Sequence, residues 1–205
     1  SPFETTSAFR WVGDPGLEPP VALLGHVVDT PRRAVFEQFQ DAYDWGAQVI
    51  AVDMPIGFEA APSDPPGRAC ERLARQRLGK RRSSIFPSPL RIALSASDYE
   101  HANQLNRAAG GPGLSKQAYH LFEKIREIDA VMTPDLSRGV VFETHPELTF
   151  AELSGEPAVH RKKTREGREE RLALLVAQGL PEALFEPHPF KAGLCAPDDL
   201  IDAGL

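Results

Sequence analysis

The chain is poor in the residues that staple or anchor a protein. Its 205 residues include two cysteines, Cys70 and Cys195, in unrelated contexts. Neither belongs to a Cys-x-x-Cys or mixed Cys/His pattern, which excludes a disulfide framework and a zinc knuckle as the organising element. Two reduced thiols make cytoplasm the expected compartment. No apolar run approaches the ~18 residues that span a bilayer, and no charged-then-apolar leader of the secretory type is present. No membrane partner is expected. Phosphate-binding and nucleophile signatures are missing too: there is no Walker A loop, no Gly-x-Gly-x-x-Gly and no Gly-x-Ser-x-Gly. Gly110-Gly-Pro-Gly113 lacks a following Lys-Ser/Thr and reads as a turn. The net charge of −6 argues against coating nucleic acid by bulk attraction.

What is present is local. Between Arg68 and Arg82 lie Arg68, Arg72, Arg75, Arg77, Lys80, Arg81 and Arg82, opposed only by Glu71. A second basic run, Arg161, Lys162, Lys163, Arg165, Arg168 and Arg171, is interleaved with glutamates that allow i,i+4 pairing. One-sided charge on a helix suits phosphate, and Arg81-Arg82-Ser83-Ser84 adds backbone and hydroxyl donors. Arg68, Arg72, Arg75, Arg82 and Lys163 are therefore the candidate substrate-binding residues.

The patterning predicts alternating strands and helices. The first twenty residues are poor in pattern, and Val21 to Val28 reads as a strand. Thr30 before Pro31 reads as the N-cap of a helix to about Asp44. Gln48 to Met54 is a short continuous apolar run, typical of a strand covered on both faces. Helices are expected over Gly67–Leu78, Ser97–Arg107 and Ser115–Met132, the first with Arg68, Arg72 and Arg75 on one face and Cys70, Leu73, Ala74 and Leu78 roughly opposite. Val140 to Glu143 is a second short apolar strand. Helices follow from Pro146 and over Lys162–Gln178, then a short apolar turn at Ala183–Phe185. Pro197 opens a last helix with acids in its first turn.

Acidic side chains then stand in unusual places. Asp53 and Glu143 sit at the carboxyl ends of the two apolar strands, where ligands gather in open parallel sheets. Asp199 and Asp202, three apart, project from one helix face. Carboxylates that converge need a compensating cation or proton. Mg²⁺ or Mn²⁺ suits an all-oxygen surrounding and could activate water and stabilise a leaving oxygen at a phosphodiester. His145 and Glu147, in Glu143-Thr-His-Pro-Glu147, are candidates for orienting water or moving a proton. Each acid also has a purely structural explanation: a turn residue for Asp53, a salt bridge for Glu143, helix capping for Asp199 and Asp202.

Several motifs occur in a fixed order: Asp53-Met-Pro-Ile-Gly57, Arg68-Ala-Cys-Glu-Arg-Leu-Ala-Arg75, Leu78-Gly-Lys-Arg-Arg-Ser-Ser-Ile-Phe-Pro-Ser-Pro89, Leu114-Ser-Lys-Gln-Ala118, Lys124-Ile-Arg-Glu-Ile-Asp129, Glu143-Thr-His-Pro-Glu147 and Lys162-Lys-Thr-Arg-Glu-Gly-Arg168. The set resembles an uncharacterised bacterial family, domain of unknown function 429 (DUF429), also described as a predicted RNase H-like nuclease. The resemblance implies an α/β, RNase H-like fold: a mixed sheet of three antiparallel and two further parallel strands flanked by helices. It would be one domain over 1–205, with a helical insertion at about 64–135. In that superfamily metal ligands come from the first strand, later strand ends and the last helix. Asp53 and Glu143 match the strand ends, and Asp199-Leu-Ile-Asp202-Ala resembles the last-helix acidic pair of the Holliday-junction resolvase branch. The implied metal ligands are Asp53, Glu143 and Asp202. One departure stands out. The family's first strand carries Gly-Val-Asp-Gly, which is missing here; Asp14, in Val12-Gly-Asp-Pro-Gly16, is only superficially similar and shows no strand before it in the sequence pattern.

The leading expectation is a nuclease or phosphodiesterase that uses Mg²⁺ or Mn²⁺ on nucleic acid. The alternatives are a nucleotide-binding phosphotransferase or hydrolase of the same superfamily, and a non-catalytic binding module that has lost a metal ligand.

Overall fold

The computed structural model describes residues 7–11, 21–25, 32–36, 38–44, 49–132, 140–186, 188, 190 and 195–205, the first three segments by their backbone alone. Its architecture is mixed α/β, and the chain divides into two compact units. One comprises Ser1–Met54 with Val131–Leu205, the other Pro55–Ala130.

The first unit is built on a five-stranded sheet of order β3-β2-β1-β4-β5. Strands β1 (Ser7–Trp11), β2 (Val21–Gly25) and β3 (Arg32–Phe36) form an antiparallel meander. Strands β4 (Ile50–Val52) and β5 (Val141–Glu143) extend it in parallel, β4 beside β1 and β5 beside β4. Two expectations are corrected. A strand does precede Asp14, at Ser7–Trp11; Asp14 itself, like Thr30 and Gly46, lies outside the described residues. The helix expected from Thr30 to Asp44 is instead β3 followed by a short α1 (Phe39–Asp44), with Phe39 and Ala42 buried three residues apart. The five-residue ladder to β2 decides the conformation of Arg32–Phe36, because cross-strand pairing outweighs weak local helical spacing.

Ile50 and Val52 are fully buried, as a continuous apolar run predicts. β5 differs from the expected buried strand. It ends the sheet, and Phe142 is 45 % exposed and Glu143 exposed. Beyond it come α6 (Pro146–Ser154), α7 (Arg165–Ala177), a 3₁₀ turn at Glu182–Leu184 and α8 (Pro197–Asp202). Phe150, Leu175, Leu180, Phe185, Cys195, Leu200, Ile201 and Ala203 form one apolar core that joins α6, α7 and α8. The last helix also lies against β2.

The second unit is helical: α2 (Ala69–Leu78), 3₁₀ segments at Gly79–Ser84 and Arg91–Ser95, α3 (Tyr99–Ala108), α4 (Lys116–His120) and α5 (Phe122–Val131), whose last residue falls in the first unit. Asp98 and Ser115 cap α3 and α4, accepting from the N–H of His101 and Ala118. The single helix expected from Ser115 to Met132 breaks at Leu121, whose N–H bonds three residues back to Ala118 and tightens the turn. Fully buried Asn106 staples the unit: its Oδ1 accepts from the Leu90 N–H at 2.7 Å, and its Nδ2 donates to the Pro112 carbonyl at 2.7 Å.

Helix α2 turns its faces differently from the sequence expectation. Glu71, Ala74 and Leu78 point inward, while Leu73 is 65 % exposed and Cys70 exposed. A buried carboxylate draws arginines to it, and their apolar stems can be covered while their heads are paired.

Candidate functional site in the sheet-bearing unit

Register fixes where the strand-end acids sit. Val52 is paired with Glu143, so Asp53, one residue further, stands level with Thr144. The ladder holds to this point, because the Thr144 N–H donates to the Val52 carbonyl at 2.8 Å. Asp53 is half-buried and Glu143 exposed. Side chains alternate along a strand, so continued alternation would put Asp53 on the face opposite Glu143; β4 has ended at Val52, however, and the chain bends at Asp53. On the other side of β4, Phe9 of β1 is level with Val52. One step further in that register, Arg10 is level with Asp53. The first strand, Ser7-Ala-Phe-Arg-Trp11, carries no carboxylate.

The sequence after Glu143 is mostly architectural. His145, half-buried, is the N-cap of α6, and its carbonyl accepts from the N–H of Leu148 and Thr149 at 2.9 and 3.1 Å. Glu147 accepts from Arg171 at 2.6 Å. Arg171 is itself 1 % exposed, donates to the Gly167 carbonyl at 2.7 Å and lies over the Phe150 ring. This ion pair ties α6 to α7, and Glu147 is committed to it.

The last-helix acids are buried, Asp202 more deeply than Asp199. A lysine stands beside them: Lys162 Nζ is 2.9 Å from Asp202 Oδ2 and 4.0 Å from Asp198 Oδ2. The Lys162–Arg168 motif explains how that ammonium is held. Thr164 caps α7 by accepting from the Gly167 N–H at 3.0 Å. Gly167 is glycine because a Cβ there would overlap the Arg161 carbonyl carbon and oxygen. From the next turn of α7, Glu170 accepts from the N–H of Val159 and His160 at 2.8 and 3.0 Å. Burial raises the Glu170 carboxyl, but those two backbone donors and neighbouring Arg171 outweigh it and hold the group below the ordinary range. Lys163, next to Lys162, is exposed.

Hard carboxylate oxygens suit Mg²⁺ or Mn²⁺. Asp53 and Glu143 carry such oxygens at adjacent strand ends. Asp202 is engaged through Oδ2 by the Lys162 ammonium. Among the described residues no group of three or more His, Cys, Asp or Glu side chains is placed to hold a metal ion.

In the helical unit, three of the five candidate phosphate-binding residues serve the fold. Arg68 donates to Glu71 at 2.8 Å and to the Ile56 carbonyl at 3.0 Å. Arg72 donates to the carbonyls of Pro65 and Gly67. Arg75 donates through Nε and Nη2 to the Ile85 carbonyl, at 3.2 and 3.1 Å. Arg82 remains exposed. Sequence reasoning placed Lys162, Arg171 and Glu71 in charge runs without seeing their structural roles. Arg171 did leave a signal, since Gly167, Arg171 and Leu175 recur every four residues along the buried face of α7.

These observations define the class: a mixed α/β domain with two carboxylates at the ends of adjacent parallel strands. The chain belongs to the DUF429 family, "Protein of unknown function (DUF429)", whose model matches residues 16–205. The matched span begins after β1. Neither a curated protein nor a solved structure matches the chain. No helix among the described residues is long and apolar enough to cross a membrane.

Proposed function

We propose that this DUF429 member is an RNase H-like domain that acts on phosphodiester bonds of nucleic acid with Mg²⁺ or Mn²⁺. One observation carries the reading: a β3-β2-β1-β4-β5 sheet, antiparallel then parallel, with Asp53 and Glu143 at the carboxyl ends of its parallel pair. Asp53 and Glu143 would hold the cation, which when bound would polarise a phosphoryl oxygen and lower the pKa of attacking water. Half-buried Asp53, one residue past fully buried Val52, is the better fixed of the two. His145 is positioned by its backbone at the start of α6, two residues beyond Glu143, and is the remaining candidate for holding a proton near water. Glu147 and Asp202 hold the scaffold. The test is incubation of the protein with labelled single strands, duplexes, hybrids and junctions plus Mn²⁺. Cleavage by wild type that is lost in Asp53→Asn supports the reading; identical behaviour of the two on every substrate removes it.

A second reading, a binding module without catalysis, draws on two observations. β1 carries no carboxylate, and the Asp202 position is neutralised by Lys162. Binding of nucleic acid without cleavage at any Mn²⁺ concentration would favour it.

A further inference from the structure

Of the seven basic residues between Arg68 and Arg82, four fall into two sets. Arg68 and Arg75 converge on buried Glu71: Arg68 Nε at 2.8 Å from Oε1 and Arg75 Nη2 at 3.8 Å from Oε2. The same Glu71 Oε1 accepts from the Ser88 N–H at 3.0 Å, and Arg75 grips the Ile85 carbonyl. The Ser84 hydroxyl donates to the Arg81 carbonyl at 2.8 Å, the Ile85 N–H donates to the Arg82 carbonyl, and Ile85 is buried. This first set thus clamps the backbone of Gly79–Ser88 from beneath.

What the clamp presents outward is the second set. Lys80 and Arg82 are exposed, and neither side chain has a hydrogen-bond or ion-pair partner among the described residues. Ser83 is exposed beside them, and Phe86 is 47 % exposed. From Arg68 to Ser97 the chain has one acid, Glu71, and its charge is spent inside the clamp. Uncompensated cations beside an exposed ring on a fixed backbone match a polyanion that also offers flat apolar faces. Unpaired nucleic acid is such a ligand: phosphates meet Lys and Arg, and any base stacks on an aromatic ring.

We propose that Gly79–Phe86 is a preorganised single-strand nucleic-acid-binding loop, with Lys80 and Arg82 on phosphates and Phe86 stacked on a base. The inference rests on the nucleic-acid reading for its choice of ligand, but not on cleavage. Fluorescence anisotropy of a labelled mixed-sequence oligonucleotide, single-stranded or annealed, tests it in EDTA, where no cation-dependent step runs. Wild type binds the single strand more tightly than the duplex. Lys80→Gln/Arg82→Gln lowers single-strand affinity and flattens the log–log salt slope by roughly 1.4, about 0.7 for each phosphate no longer neutralised. Phe86→Ala weakens binding by about tenfold, the size of one base–aromatic stack, and leaves the salt slope unchanged. Circular dichroism confirms that these surface variants fold, and Arg75→Ala, which releases the loop backbone, weakens binding without removing an outward charge.

Single-strand affinity and salt slope unchanged in the double variant overturn the proposal. So does a loss confined to anionic vesicles while oligonucleotide binding persists. If the loop variants lose binding but wild type cleaves nothing with Mn²⁺, the catalytic reading fails and this one stands. If wild type cleaves and the loop variants bind as it does, the reverse holds.

Discussion

Replacing Lys162 by Met should destabilise the sheet-bearing unit more than neutralising the acid it faces. The Lys162–Asp202 contact is 2.9 Å, with the Asp202 side chain 1 % exposed and the Lys162 side chain 26 % exposed. The gross attraction at that distance is about 6 kcal/mol at an effective dielectric of about 20, most of it offset by the cost of drying both charges. Lys162→Met removes the ammonium that lies against a buried carboxylate and also reaches Asp198. Breaking a buried pair in this way costs about 3–5 kcal/mol; the partly wet lysine end places this pair at the low end, about 3 kcal/mol. Asp202→Asn leaves an ammonium that can swing into water, and the amide oxygen still accepts, so its cost is about 1 kcal/mol. The double variant should cost less than the two single changes combined, because the second change removes a charge the first one orphaned. Urea unfolding followed by circular dichroism measures all three. A Lys162→Met cost under about 0.5 kcal/mol, or one below that of Asp202→Asn, would refute the argument that a buried carboxylate depends on its ammonium.

Other consequences follow from neighbouring contacts. Gly167→Ala forces a Cβ into the Arg161 carbonyl, so it should shift the Lys162 backbone and cost about 2 kcal/mol or more; a crystal structure of the variant should show Lys162 drawn away from Asp202. Glu71→Ala removes the shared acceptor of Arg68, Arg75 and the Ser88 N–H, and limited proteolysis should then cut within 79–88 faster than in wild type. Glu170 has a carboxyl lowered from its ordinary value. Its contribution is therefore fully present above that ordinary value and is lost as pH falls through the lower, folded value. Glu170→Gln should flatten the acid limb of the stability profile there; an unchanged limb would count against its cap on Val159 and His160.

Elements with strong local signals could be read directly. The β4 apolar run, the Ser115 cap and the prolines that open helices at Pro146 and Pro197 are local signals, and each formed as expected. β1 and β3 could not be read, because each is a five-residue strand whose stability comes from its partner across the ladder. The face of α2 was misjudged for a related reason. Hydrophobicity puts Leu73 inward and Glu71 outward, but Glu71 joins its helical neighbours Arg68 and Arg75 to a loop amide seventeen residues on, at Ser88, which the helical pattern does not show. For the site, strand-end placement marked Asp53 and Glu143. The same logic could not show that Asp202 is paired: Lys162, which lies against it, is forty residues away in the chain.

Two acidic places are distinct: the strand ends proposed to take a cation, and a last helix whose Asp202 is paired with Lys162. Manganese titration followed by electron paramagnetic resonance distinguishes them without relying on cleavage. Wild type should bind Mn²⁺; Asp53→Asn and Glu143→Gln should each weaken that binding at least about tenfold, the effect of losing one charged ligand, while Asp202→Asn leaves it unchanged. Binding that survives Asp53→Asn but disappears in Asp202→Asn would contradict the account.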